Sequence, residues 1–200
     1  MSWSVEYLND LIEEEYKTLP GDIRARFSKI MRMIEAYGLP QVGMPYVGHI
    51  EGKLWEMRAS GRDGIARGMY VTARGQRVIL VHVFVKKTQK TPREEIRQAW
   101  QMPGRWMMGK RILEDHDAWM RDDAEYREAY EVLESEFAVA EALVKARSEA
   151  DMTQADVAAL LGVKQPAVAR IEVGKNVSLK TLEKYAKVLG RRIKIDLVHE

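Results

Sequence analysis

The spacing of apolar residues changes period twice along these 200 residues, and that change limits the folds open to the chain. Leu8, Leu11, Ile12, Ile23, Phe27, Ile30, Met31 and Ile34 recur at three- and four-residue steps, the signature of amphipathic helix over Val5 to Tyr37. Pro20-Gly21 interrupts the run and Asp22 can cap a second helix, so the segment predicts a helical hairpin with one apolar face. Lys53 to Ala59, Ile65 to Thr72 and Val78 to Val85 are short runs rich in β-branched and aromatic residues. Glycine-bearing turns separate them, which fits an antiparallel meander. In the last run Ile79, Val81, Val83 and Val85 alternate with Leu80, His82, Phe84 and Lys86, and both sets are largely apolar, as in a central strand. Thr91-Pro92 followed by acidic residues opens another helix, which Met102-Pro103-Gly104 stops. Beyond residue 114 the helical period returns. A long polar helix is expected over 114–134, with Trp119, Tyr126, Tyr130 and Leu133 as an incomplete stripe, and another over Phe137 to Ala150.

Charge divides the chain in the same place. Residues 1–106 hold 17 basic and 12 acidic side chains, whereas residues 114–141 hold 2 basic and 11 acidic. The formal net charge of +2 therefore conceals a basic half and an acidic connector. The acidic run is either a solvated helix face or a surface that lies against the basic half and restrains or masks it. The absence of cysteine excludes disulfides, thiolate metal sites and a cysteine nucleophile. His49, His82, His116 and His199 show no ligand spacing, so neither a metal nor a cofactor is expected. No apolar run is long enough to span a membrane, and no secretory signal is visible, so the expected location is cytoplasmic.

Residues 153–175 carry the strongest motif. Thr153 caps a helix with Val157, Ala158 and Leu161 inside, and Gly162 supplies the left-handed exit. Val163 fills the corner, and Gln165-Pro166 opens a second short helix that Gly174 ends. Ser178 caps a further helix, Leu179 to Leu189. The Thr-Gln…Ala…Gly-Val…Gln…Val…Arg-Ile-Glu…Gly pattern closely resembles the Cro/C1-type (XRE) helix-turn-helix family over about residues 137–190. The resemblance implies operator DNA as partner. Lys164, Gln165, Ala167 and Arg170 would then face base edges or flanking phosphates, and Gln154 and Lys175 the backbone. Pro166 stands where many relatives carry Ser or Thr, so the sequence departs from the family at one of its phosphate contacts. The tail Arg191 to Val198 alternates as a strand, and its edge can pair with a second copy, so a homodimer through this domain is expected.

The strand segments Leu54-Trp55-Glu56-Met57-Arg58 and Phe84-Val85-Lys86-Lys87-Thr88-Gln89-Lys90-Thr91-Pro92 resemble the RelE/ParE superfamily, more narrowly HigB-type (phage Gp49-like) toxins, over about residues 1–101. The C-terminal half resembles the partner antitoxin HigA. This implies an α+β RelE-like domain over 1–102 (helical hairpin plus antiparallel sheet) and a linker over 103–113. An all-α helix-turn-helix domain with a short C-terminal strand would follow over 114–200. The function implied is a type II toxin–antitoxin protein: a ribosome-associated endoribonuclease acting on mRNA, fused to an antitoxin that neutralises it and represses its own operon. Such an enzyme has the ribose 2′-OH attack the adjacent phosphate, and clustered cations stabilise the added negative charge. Arg58, Arg67, Lys86, Lys87 and Lys90 are the candidate cations, and Tyr70 a candidate for base stacking or proton transfer. Arg58 also has Glu56 and Asp63 as nearby ion-pair partners, and His82 reads as a core histidine before a catalyst. The alternative is a transcriptional regulator whose N-terminal toxin fold is inactive.

Overall fold

A computed structural model describes residues 3–62, 64–86, 92–101 and 109–196. The chain forms two compact units, residues 1–134 and 135–200.

The first unit is built on a five-stranded sheet. Its strands are β1 (Ser4–Tyr7), β2 (Val47–Glu51), β3 (Leu54–Gly61), β4 (Gly64–Ala73) and β5 (Arg77–Lys86), in the order β1-β5-β4-β3-β2. β2 to β5 are the antiparallel meander expected, and β1 adds parallel to β5, making the sheet mixed. The helical period had run back to Val5. The chain instead starts extended, because Val5 and Tyr7 are buried beside β5 and Asn9 begins the helix by accepting a hydrogen bond from the Ile12 amide at 3.1 Å. Helices α1 (Asp10–Lys17) and α2 (Gly21–Tyr37) then form the hairpin. The expected inner positions Ile23, Phe27, Ile30, Met31 and Ile34 are all buried.

Phe27 packs on the sheet at Gly68, where a Cβ would stand 3.0 Å from Leu80 Cδ1 and 3.5 Å from the Phe27 ring. A β-bulge then shifts the register of β5. Met69 pairs with His82, but Tyr70 pairs with Leu80. Val81 is the extra residue, so Leu80 and His82 no longer share a face, and the simple alternation read from the sequence fails here.

Helix α3 (Arg93–Gln101) follows β5. A 3-10 turn (Ile112–Asp115), α4 (His116–Asp122) and α5 (Ala124–Val132) complete the unit. The single helix expected over 114–134 is thus broken at Asp123, which leaves helical geometry and caps α5 through the Tyr126 amide at 2.9 Å. These residues belong to the first compact unit, although motif and charge grouped them with the C-terminal domain. Their aromatic stripe is the reason: Trp119 stacks on Tyr16 of α1 at 5.7 Å, and Tyr126 is fully buried.

The second unit contains α6 (Glu134–Glu149, whose first residue closes the first unit), α7 (Gln154–Leu161), α8 (Gln165–Glu172) and α9 (Leu179–Val188). Its core is Leu143, Val157, Ala158, Val168, Tyr185 and Leu189. Thr153 and Asp156 cap α7 reciprocally, and Gly162 leaves it with φ +68. Residues 191–196 form neither helix nor strand, and 197–198 lie outside the described residues.

Candidate functional site

In the first unit the sheet brings three candidate cations together. Arg58 on β3 stands directly opposite Arg67 on β4. Both reach one carboxylate oxygen of Glu56, two residues before Arg58 on the same strand face. Arg58 Nε donates at 2.8 Å and Arg67 Nη1 at 3.1 Å. Glu56 and Arg67 are buried, and Arg58 is half-buried. Gly48 on β2 makes room for Arg58, since a Cβ there would lie 2.6 Å from its Nη2. Arg58 also donates to the sulfur of Met44 at 3.3 Å.

Burial lowers the Arg67 pKa and the nearby Arg58 charge adds to that, while Glu56 opposes both. Its Nε has no hydrogen-bond partner among the described residues. Lys86 is half-buried at the end of β5. Its pKa is lowered by burial first, then by the charges of Arg67 and Arg58, with Glu56 opposing. Arg58, Arg67 and Lys86 are therefore close enough to repel one another, with the Glu56 carboxylate among them. Such a cluster stabilises a bound anion, and more so one that gains charge during reaction.

The other sequence candidates fall differently. Tyr70 is fully buried, with no face open to a base, because it alternates with Arg67 along β4 and pairs with Leu80. Burial, and then the Glu56 charge, raise its phenol far above the ordinary range, so it is a poor proton carrier. Lys87 and Lys90 lie outside the described residues. His82 is buried, its Nδ1 3.1 Å from Glu15 and its Nε2 2.6 Å from Glu95, so both ring nitrogens are occupied. Gly48 escaped the sequence reading, and Glu56 entered it as a partner of Arg58 but not of Arg67. Glu56 was visible two positions before Arg58, a spacing that places both on one strand face.

The acidic connector does meet basic residues, chiefly those of α2, with Arg62 of the β3–β4 turn 3.6 Å from Glu125 and Lys110 paired with Asp115. Arg24 pairs with Asp123 and lies over the rings of Trp119 and Tyr126, at 5.4 and 5.6 Å. Lys29 pairs with Glu134 and sits 3.8 Å from the Tyr130 ring centroid. The Gly21 amide donates to Glu125 at 3.0 Å. Because α2 covers the sheet face bearing Gly68, and Arg58 and Arg67 alternate onto the other face, residues 114–134 do not mask the arginines.

In the second unit Lys164, Arg170 and Lys175 are exposed, and Gln165 and Ala167 half-exposed, on or beside α8. Gln154 opens α7. It is buried, its amide donating to Glu172 at 2.8 Å and accepting from Gln165 at 2.7 Å. The second bond ties Gln165 of α8 to the network around Glu172. Glu172 is the centre of this network. Arg147 donates to it at 2.6 and 3.0 Å, and the Tyr185 hydroxyl donates to it as well.

An α+β unit with three cations on one sheet face, followed by a helix-turn-helix flanked by Lys164 and Lys175, is the arrangement of a toxin–antitoxin-like regulator with a DNA-binding module. The sequence matches agree: residues 14–102 match the family described as phage derived protein Gp49-like, and residues 143–195 match the helix-turn-helix family. Among curated proteins none matches the chain. No helix among the described residues is long and apolar enough to cross a membrane, and no cluster of three or more His, Asp or Glu among them could hold a metal ion.

Proposed function

We propose that the N-terminal unit is a HigB-like toxin that cleaves mRNA on the ribosome, and that the chain from about residue 114 acts as its HigA-like antitoxin. The antitoxin part neutralises the toxin and, as a homodimer on paired half-sites, represses its own operon. The observation that carries this reading is the Glu56-bridged Arg58–Arg67 pair with Lys86 beside it. The cluster offers positive charge for a phosphodiester. Lys86, its pKa lowered, is the described group best suited to move a proton there. On α8, Gln165 and Arg170 read bases, and Lys164 and Lys175 hold phosphates.

A second reading has its own observation. Tyr70 is buried and the histidine of β5 is fully engaged, so the described residues hold no conventional acid–base pair, as in a toxin fold kept for assembly. Ribosome-bound mRNA incubated with the full chain or with residues 1–134 separates the two. Cleavage that falls by about 10²-fold or more in Arg67→Ala supports the enzyme. No cleavage by either form, with Arg67→Ala indistinguishable from wild type, supports the regulator.

A further inference from the structure

Away from the arginine pair, α3 carries a second feature suited to nucleic acid. This helix spans the sheet from β5, where Glu95 meets His82, to the β2–β3 turn, where Trp100 meets Glu51 and lies 3.6 Å from the Cβ position of Gly52. At that end Glu51, Arg93, Ile96, Arg97, Trp100 and Gln101 line an open cleft of about 430 Å3. Trp100 is 48 % exposed, an unusual state for the largest apolar side chain. It is nevertheless fixed, because its Nε1–H donates to Glu51 Oε1 at 3.0 Å. A ring that is both open and held in place loses little freedom when something stacks on it.

We propose that this cleft is a base-binding subsite for single-stranded RNA. A nucleobase stacks on the open half of Trp100, as single-stranded RNA does on aromatic side chains. The second Glu51 oxygen has no partner among the described residues and accepts from an exocyclic amino group, which favours A, C or G over U. Arg93 has no ion pair among the described residues, and Arg97 has only an exposed pair with Glu94 that a phosphate displaces readily. Together they hold the flanking backbone. β2 links the two places: Gly48 adjoins Arg58 and Gly52 adjoins Trp100. The subsite rests on the RNA-cleaving reading and gives it a determinant of base preference outside the reacting centre.

The test uses the full-length chain carrying 5-fluorotryptophan, titrated with single-stranded RNA octamers rich in A or in U. The Trp100 fluorine resonance is assigned from Trp100→Phe. The proposal expects that resonance to shift with RNA, and more strongly with the A-rich octamer. RNA affinity should fall roughly 5- to 100-fold in Trp100→Ala and about threefold or less in Trp100→Phe. If RNA binding depends on Arg67 while the Trp100 signal and the Trp100→Ala affinity stay unchanged, the subsite is wrong and the parent reading stands. If wild type binds no RNA, both fall. A Trp100 resonance silent to RNA that shifts with ribosomal protein freed of RNA overturns the subsite in favour of a protein contact.

Discussion

Arg24 on α2 and Asp123, the cap of α5, form an ion pair between residues 99 positions apart, roofed by the rings of Trp119 and Tyr126. Around it, residues drawn from the acidic connector complete the core of the N-terminal unit. Trp119→Ala removes a nearly buried ring and should cost about 3–5 kcal/mol of stability. Asp123→Ala, which loses a partly exposed pair and a helix cap, should cost about 1–2 kcal/mol. Urea unfolding of the full chain checks both. The same packing predicts that residues 1–102 unfold at markedly lower urea than residues 1–134. Equal midpoints for the two would mean that the connector adds nothing to this core.

His116 makes that core sensitive to pH. Its ring is buried against Tyr130 and Tyr126, with Nδ1 2.8 Å from the Tyr126 hydroxyl. Burial lowers its pKa, Arg32 and Lys29 push the same way, and Asp117 pulls only partly back. The unfolded chain therefore takes up a proton near pH 6.5, before the folded one does. Above that pH the group is neutral in both states and has no effect. As pH falls through 6.5 toward the lower folded value, stability drains away. The slope of unfolding free energy between pH 7 and 5 should be shallower in His116→Phe than in wild type. Parallel slopes would show that His116 is not the titrating group.

The helix-turn-helix unit stakes its stability on one buried charge pair. Arg147 and Glu172 are each about 1 % exposed, and Gln154 and Tyr185 also bond to Glu172. Removing one partner leaves a buried charge unanswered. Glu172→Leu should therefore destabilise this unit by about 3–5 kcal/mol, and the double change to Leu at 147 and 172 by clearly less. Thermal unfolding of the three proteins decides it. A double variant as unstable as Glu172→Leu would place the cost in packing and not in charge.

Much of this architecture was legible because it rests on local rules. Thr153 with Asp156, Gly162 with φ +68 and the Val157–Val168 core follow from capping, handedness and helical spacing. The meander and α2 were legible from period alone. What escaped depends on pairing across the chain. Nothing in the period around Val5 shows that Ser4–Tyr7 will find β5, and nothing near Val81 announces a bulge. Gly21 reads locally as a helix start, but its second reason is distant: a Cβ there would stand 2.7 Å from the Tyr126 amide nitrogen. In the site, Arg58 and Arg67 were visible as types, while the carboxylate that joins them needed strand register to be seen.

The contact between Gln154 and Gln165 couples the DNA-facing helix to the buried network behind it. Gln165 stands at the first turn of α8, where its amide can meet a base edge only if its side chain is held outward. Gln154 Oε1, itself anchored through Glu172, holds it. Gln165→Ala should weaken operator binding by about tenfold, within the range of one lost base contact. Gln154→Ala should weaken it by a similar factor although its own amide faces inward. Because both act through one side chain, Gln154→Ala should have little further effect once Gln165 is Ala. Lys175→Ala, by contrast, should reduce the salt dependence of binding by about one unit of slope and leave base preference unchanged. Operator titrations at several salt concentrations measure all of these. Additive losses at 154 and 165, with a changed salt slope in Gln154→Ala, would return Gln154 to the role of a direct phosphate contact.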